Sequence, residues 1–218
     1  MLAVELSSDF IPALETSTSI QTAFERMDEF RVSHLPVVNG PEFLGLVSDR
    51  DLVESADPSQ AIGTGYLLYQ SVQESQHIYD VIRIVNELKL TAVPVTDDKK
   101  KYLGLISMNA LVTYFAQLTA VDHPGGIVVL ELGARDFQLS EIARIVEAND
   151  AYILSSYIRT FSGSNRLELT MKISKTDLTH ILASFERYNY LIRASFHQAS
   201  HRDDTMDRFD SFMHYLNI

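Results

Sequence analysis

The stretch Ser48-Asp-Arg50-Asp51 places a hydroxyl, two carboxylates and a guanidinium within four residues. A carboxylate can accept both hydroxyls of a vicinal diol, and a serine hydroxyl beside it can donate or accept. Free N–H groups at the start of a helix, with a cation such as Arg50, suit phosphate oxygens. The same residues also describe a capped helix, with Ser48 as the cap and Asp51 in the first turn against the helix dipole. Capping and binding are compatible. A second stretch, Ser107-Met-Asn-Ala110, keeps the hydroxyl and lacks the carboxylate, with Asn109 as the nearest polar substitute.

Other reactive patterns lead away from catalysis. The chain has seven His and no Cys, which excludes disulfides, thiolate zinc sites and cysteine nucleophiles. It contains no Gly-x4-Gly-Lys-Ser/Thr loop, no Gly-x-Ser-x-Gly elbow and no His-Glu-x-x-His helix, and Gly63-Thr-Gly65 lacks the third glycine of a dinucleotide fingerprint. His197 and His201 stand four apart near Asp203 and Asp204, a spacing that suits a metal on a helix. A solvated tail is the expectation there, so no metal site is assigned. Lys99, Lys100 and Lys101 read as the solvated tip of a hairpin. The reading is of a protein that is not an enzyme and requires no cofactor.

The elements that position the Ser-x-x-Asp stretch come from an internal repeat. Ser33-His-Leu-Pro-Val-Val38 recurs as Thr91-Ala-Val-Pro-Val-Thr96 after 58 residues, and Phe43-Leu-Gly-Leu-Val-Ser48 recurs as Tyr102-Leu-Gly-Leu-Ile-Ser107 after 59. Ile20, Phe24 and Met27 correspond to Ile78, Ile82 and Val85 at the same spacing. Each copy reads as an extended lead-in, a helix, two short strands joined by a polar turn, and a second helix that Ser48 or Ser107 caps. A unit of this size is marginal alone and should bury its sheet against its partner.

The pattern of apolar-Pro-Val-Val, a turn, and Leu-Gly-apolar-apolar-Ser-x-x-Asp resembles the CBS domain, which occurs as tandem pairs. The resemblance covers roughly residues 1–121. It implies a pseudo-two-fold pair of small units, dimerisation into a flat disc, and adenosine nucleotides bound in clefts between the copies. It implies that Ser48 and Asp51 hold the ribose and that Arg50 meets phosphate. It also implies that Ile11, Val32, His34 and Pro36 line the adenine side. Ser107 and Pro94 then mark a second, degenerate cleft, because Ala110 replaces the carboxylate.

The second half alternates differently. Residues 127–132 form a strand and Leu139, Ile142, Ile145 and Val146 follow a helical period started near Asp136 or Ser140. Residues 151–161 and 166–173 are strands around a Ser162-Gly-Ser-Asn165 turn. Asp177 caps a second helix, and residues 190–196 close as a strand. This βαββαβ order is the ferredoxin-like split motif, and it resembles the ACT domain over about residues 127–196. The Arg135-Asp-Phe-Gln138 turn lacks the glycine that lets a ligand approach the backbone in amino-acid-binding members, so dimerisation is the expected role. Leu111-Val-Thr-Tyr-Phe115 and Leu118-Thr-Ala-Val-Asp-His-Pro-Gly125 are similar to the acetoin-utilisation accessory protein group. In residues 197–218, Phe209, Phe212, Met213 and Leu216 share one helical face that suits docking on the chain's own surface.

Composition bounds the partners. With 18 Lys+Arg against 29 Asp+Glu the net charge is −11, which disfavours nucleic acid. No apolar run approaches a membrane span, and Met1-Leu-Ala-Val-Glu has neither the basic nor the apolar region of a signal peptide. The absence of Cys fits a reducing cytoplasm. The expected fold class is α/β (α+β): a CBS pair at 1–121 (copies at about 1–60 and 61–121), a linker at 122–126, an ACT-like domain at 127–196 and a tail at 197–218. The expected function is regulatory sensing of AMP, ADP or ATP by a cytoplasmic homodimer that relays the signal to a protein partner. A ligand-free scaffold and amino-acid sensing through the second half are the alternatives.

Overall fold

The period of Ile20, Phe24, Met27 and Phe30 is realised as helix α2, Ile20–Phe30, which buries Ile20, Ala23 and Met27, once α1 (Ala3–Leu6) and the two-residue strand β1 (Leu14–Glu15) have passed. The Ser19 hydroxyl caps α2 by accepting the Thr22 N–H at 3.2 Å, and Arg31 ends it in the left-handed conformation. Strands β2 (His34–Asn39) and β3 (Glu42–Ser48) then form a hairpin that leads into α3 (Asp49–Val53). The second copy repeats the order with β4 (Val72–Gln73), α4 (Ile78–Leu88), β5 (Ala92–Thr96), β6 (Tyr102–Ser107) and α5 (Met108–Leu118). Lys89 ends α4 in the same left-handed conformation as Arg31, 58 residues later. Each copy builds a three-stranded sheet, β1-β2-β3 or β4-β5-β6, with its first strand parallel and its hairpin antiparallel. The computed structural model describes residues 1–53, 57–65 and 67–197.

The two copies exchange their lead-in segments. The chain before copy one runs against copy two: Ala3 N–H donates to Gln76 O at 2.8 Å, and Ser8 and Leu105 exchange backbone bonds at 3.0 and 2.9 Å. The segment before copy two does the same to copy one. There Ile20 N–H donates to Gln60 O at 2.9 Å, and Leu46 and Leu68 exchange bonds at 2.9 and 2.8 Å. Ala3 is accordingly buried with Ile78, Val81 and Ile106 of copy two, and Ile62 with Leu14, Ile20 and Val47 of copy one. Burying a side chain such as Ile62 is worth about 1.5–3 kcal/mol. The glycine of each Leu-Gly-Leu motif permits the crossing. A Cβ on Gly45 would stand 2.8 Å from Leu67 Cβ and 3.2 Å from Leu68 O, and one on Gly104 would stand 3.1 Å from Ser8 O.

The chain divides into units of residues 1–114 and 115–218, so the boundary falls inside α5, ahead of the 122–126 stretch read as a linker. In the second unit β7 (Gly126–Gly133), α6 (Leu139–Glu147), β8 (Ile153–Thr160), β9 (Arg166–Ile173), α7 (Thr179–Arg187) and β10 (Leu191–Phe196) follow in βαββαβ order. The sheet runs β10-β7-β9-β8, entirely antiparallel, which is the ferredoxin-like arrangement. Alternate residues Val128, Leu130 and Leu132 are buried with Ile142, Ile145 and Phe185 of the helices. The opposite face carries charge: Glu131 meets Arg166 and Arg193, and Glu168 meets Arg193 and, at 3.9 Å, Arg159.

Two local expectations are corrected, one of them at α7, where Leu178 and not Asp177 holds the cap position and its side chain makes no capping bond. Neither Asp136 nor Ser140 caps α6; Gln138 occupies that position and its side chain makes no capping bond, while Asp136 closes a turn through its N–H to Gly133 O at 2.9 Å. Asp177 accepts both the N–H and the hydroxyl of Thr179, at 3.0 and 2.7 Å. These bonds hold its carboxyl below the usual range. The expected tail helix with Phe209, Phe212, Met213 and Leu216 lies outside the described residues, as do His201, Asp203 and Asp204. Among the described residues, no helix is long and apolar enough to cross a membrane.

Candidate functional site

Ser48 closes β3 and Asp51 sits in the first turn of α3, and the two satisfy one another. Ser48 Oγ donates to Asp51 Oδ2 at 2.6 Å, Ser48 N–H donates to the same oxygen at 3.2 Å, and Asp51 N–H returns a bond to Ser48 Oγ at 3.2 Å. This is a capping box in which the carboxylate reaches back to the cap residue. Both of these bonds to the carboxylate use Oδ2, so among the described residues Oδ1 keeps its acceptor capacity. In copy two the cap survives alone: Ala110 N–H donates to Ser107 Oγ at 3.2 Å.

Ser48 lines a cavity of about 290 Å³ with His34, Arg50, Lys89 and Thr91. Lys89 comes from the left-handed end of α4, so two cations from different copies face one cavity. His34 Nδ1 accepts the Thr91 N–H at 3.3 Å and lies 3.1 Å from Thr91 Oγ1, which in turn accepts the Ser33 N–H at 2.9 Å. Burial lowers the His34 pKa; Asp49 and Asp51 oppose that shift and Arg50 adds to it. The imidazole is therefore neutral at pH 7, with Nδ1 as an acceptor.

The seven residues assigned from sequence to one site do not line one cavity. His34, Ser48 and Arg50 line the cavity just described, and Asp51 joins them through its bond to Ser48. Ile11 and Val32 line a different cavity of about 580 Å³, together with Ser107 and Asn109 of copy two. The lead-in exchange is the reason, because the segment holding Ile11 crosses to the opposite copy. Pro36 and Pro94 are buried in mid-strand opposite Leu46 and Leu105. Lys89 and Thr91 were missed from sequence. Their signal was available, since they stand 58 residues after Arg31 and Ser33. Among the described residues no three His, Asp or Glu side chains are grouped to hold a metal.

Two repeats that exchange their lead-ins and place a cavity at each strand-to-helix turn define a pseudo-symmetric tandem module. The module is a tandem CBS domain pair: the CBS domain family matches residues 3–57 and 69–117. Inosine-5'-monophosphate dehydrogenase of Bacillus subtilis (strain 168) is 27% identical over 130 residues, 56% of this chain and 27% of that enzyme. The chain spans less than two thirds of the length of three curated relatives it matches: 27%, 61% and 23%. A CBS domain pair/ACT domain protein from Thermotoga maritima is similar in structure at 19% identity and a TM-score of 0.48, covering 53% of this chain and 96% of that one. CBSX2, solved in complex with AMP, is similar at 23% identity and a TM-score of 0.46, covering 53% and 96%.

Proposed function

We propose that the chain is a non-catalytic regulatory module that senses an adenosine nucleotide (AMP, ADP or ATP) in the cavity at Ser48. The observation that carries the reading is the Ser48–Asp51 pair beside Arg50 and Lys89. Asp51 Oδ1 accepts the ribose diol, the Ser48 hydroxyl and its Asp51 bond fix the carboxylate, and the two cations take phosphate. His34, neutral and held against Thr91, gives the base an uncharged neighbour. The ferredoxin-like unit acts as an ACT-like relay to a protein partner, and the working form is a cytoplasmic homodimer.

The test is diol dependence. By calorimetric titration the wild type binds AMP at least tenfold more tightly than 2′,3′-dideoxyadenosine 5′-monophosphate, since hydrogen bonds to a charged group are each worth about 1.5–3 kcal/mol. Asp51→Ala removes that preference. Equal affinity for both probes in the wild type defeats the reading and leaves the ligand-free scaffold, which the missing carboxylate at Ala110 favours.

A further inference from the structure

The hydrogen bonds around His34 fix which of its ring nitrogens carries the proton. A backbone N–H can only donate, and that of Thr91 meets Nδ1 at 3.3 Å, so Nδ1 is the acceptor. The Thr91 hydroxyl, 3.1 Å from the same nitrogen, then donates to it and accepts the Ser33 N–H at 2.9 Å. Ser33 N–H, Thr91 hydroxyl and His34 Nδ1 thus form a head-to-tail chain, in which each bond strengthens the next. The ring is neutral at pH 7, because burial outweighs the opposing pull of Asp49 and Asp51. Its proton therefore sits on Nε2. Among the described residues Nε2 has no partner, and it is not closed off from solvent. His34 lines the cavity at Ser48, so an uncharged N–H donor stands there beside the cations Arg50 and Lys89. Ala92 stands 58 residues later, and copy two does not repeat the donor.

We infer that His34 is a specificity-determining residue of the Ser48 cavity, its Nε2–H donating to an unprotonated ring nitrogen of the bound base. The inference rests on the nucleotide reading proposed above and adds the contact by which the base is chosen. A base that presents N–H at that place sets donor against donor and leaves both unpaired, a penalty larger than the bond it forgoes. Thr91, from the other copy, fixes the tautomer, so the base is read only where the two copies meet.

The probes are AMP and its 1-deaza, 3-deaza and 7-deaza analogues, each lacking one ring acceptor, titrated by calorimetry into the full chain. One analogue binds the wild type about fivefold more weakly than the others, the scale of a hydrogen bond between neutral groups. His34→Phe removes that difference, with circular dichroism checking the fold. His34→Gln, whose amide oxygen can take the Thr91 N–H and whose amide nitrogen can donate, keeps a difference of about twofold. The tautomer is read separately, by nitrogen-15 NMR of the free protein at pH 7, with Nδ1 bare and Nε2 protonated. Equal binding of the three analogues, a difference that His34→Phe leaves in place, or a proton on Nδ1 overturns the inference. The two readings fail differently: a preference for AMP over its dideoxy analogue with no difference among the deaza analogues overturns this inference alone, whereas no binding of AMP overturns both.

Discussion

At Ser48 and Asp51 a single pair of side chains does two jobs, and copy two separates them. Ala110 lacks the carboxylate, yet its N–H still bonds Ser107 Oγ at 3.2 Å and α5 forms. Asp51→Ala should therefore keep the start of α3 and cost only about 0.5–1 kcal/mol, the worth of a first-turn carboxylate. Urea unfolding measures this, and a loss of several kcal/mol would mean that Asp51 holds more than the helix start. His34 gives a pH dependence with a definite sign. The unfolded imidazole titrates near 6.5 and burial holds the folded one lower. Between those values the unfolded chain carries more protons, so stability rises with pH. The contribution is complete above about 6.5 and is lost as pH falls through the folded value. Wild-type unfolding free energy should thus fall more steeply from pH 7 to 5 than that of His34→Gln, whose amide oxygen can still accept the Thr91 N–H. Parallel curves would remove His34 from the account. At this scale the sequence revealed the chemistry of Ser48, Arg50 and Asp51, but the grouping needs the fold: Ile11 and Val32, assigned with them from the family resemblance, line another cavity, and Lys89 lines the one at Ser48, as its place in the 58-residue repeat could have suggested.

Among the elements, local pattern was legible and long-range exchange was not. The period of Ile20, Phe24 and Met27 marks α2, and the alternation over Arg166–Ile173 marks β9, because each depends only on which face meets a core. The two-residue strands Leu14–Glu15 and Val72–Gln73 carry no periodicity to read. The crossing of the lead-ins rests on pairings such as Ser8 with Leu105, nearly a hundred residues apart. Its trace in the sequence is the glycine of Leu-Gly-Leu, which reads as a flexible strand residue until the opposing backbone is seen above it. Gly45→Ala drives a Cβ to 2.8 Å from Leu67 Cβ at a φ of +156°. We expect a loss of about 1–3 kcal/mol by urea denaturation. Limited proteolysis should find new cleavage in residues 67–70, which lie against Gly45 and Leu46. Unchanged stability and cleavage would show that the lead-in is not secured at Gly45.

For the whole molecule the issue is whether a ligand held by the first unit is read by the second. A nucleotide can bias a two-state arrangement only by its differential affinity for the two states, however tightly it binds. At about 100 times its dissociation constant AMP stabilises the state it binds by about 2.7 kcal/mol. Within the first unit, ligand contacts in one cavity engage both copies at once, since Ser48 and Arg50 face Lys89 and Thr91. Hydrogen exchange at saturating AMP should therefore slow in β2, β3 and β5 together, and Asp51→Ala should abolish the effect. The relay reading adds a further demand, that protection also changes in β7–β10, where the sheet packs one face on its helices and carries the ion pairs of Glu131, Glu168 and Arg193 on the other. Slowing confined to residues 1–114 would leave a nucleotide-binding pair without a relay. A change in both units that vanishes in Asp51→Ala would establish that the signal crosses, and the charged sheet face would be the first place to look for the partner that receives it.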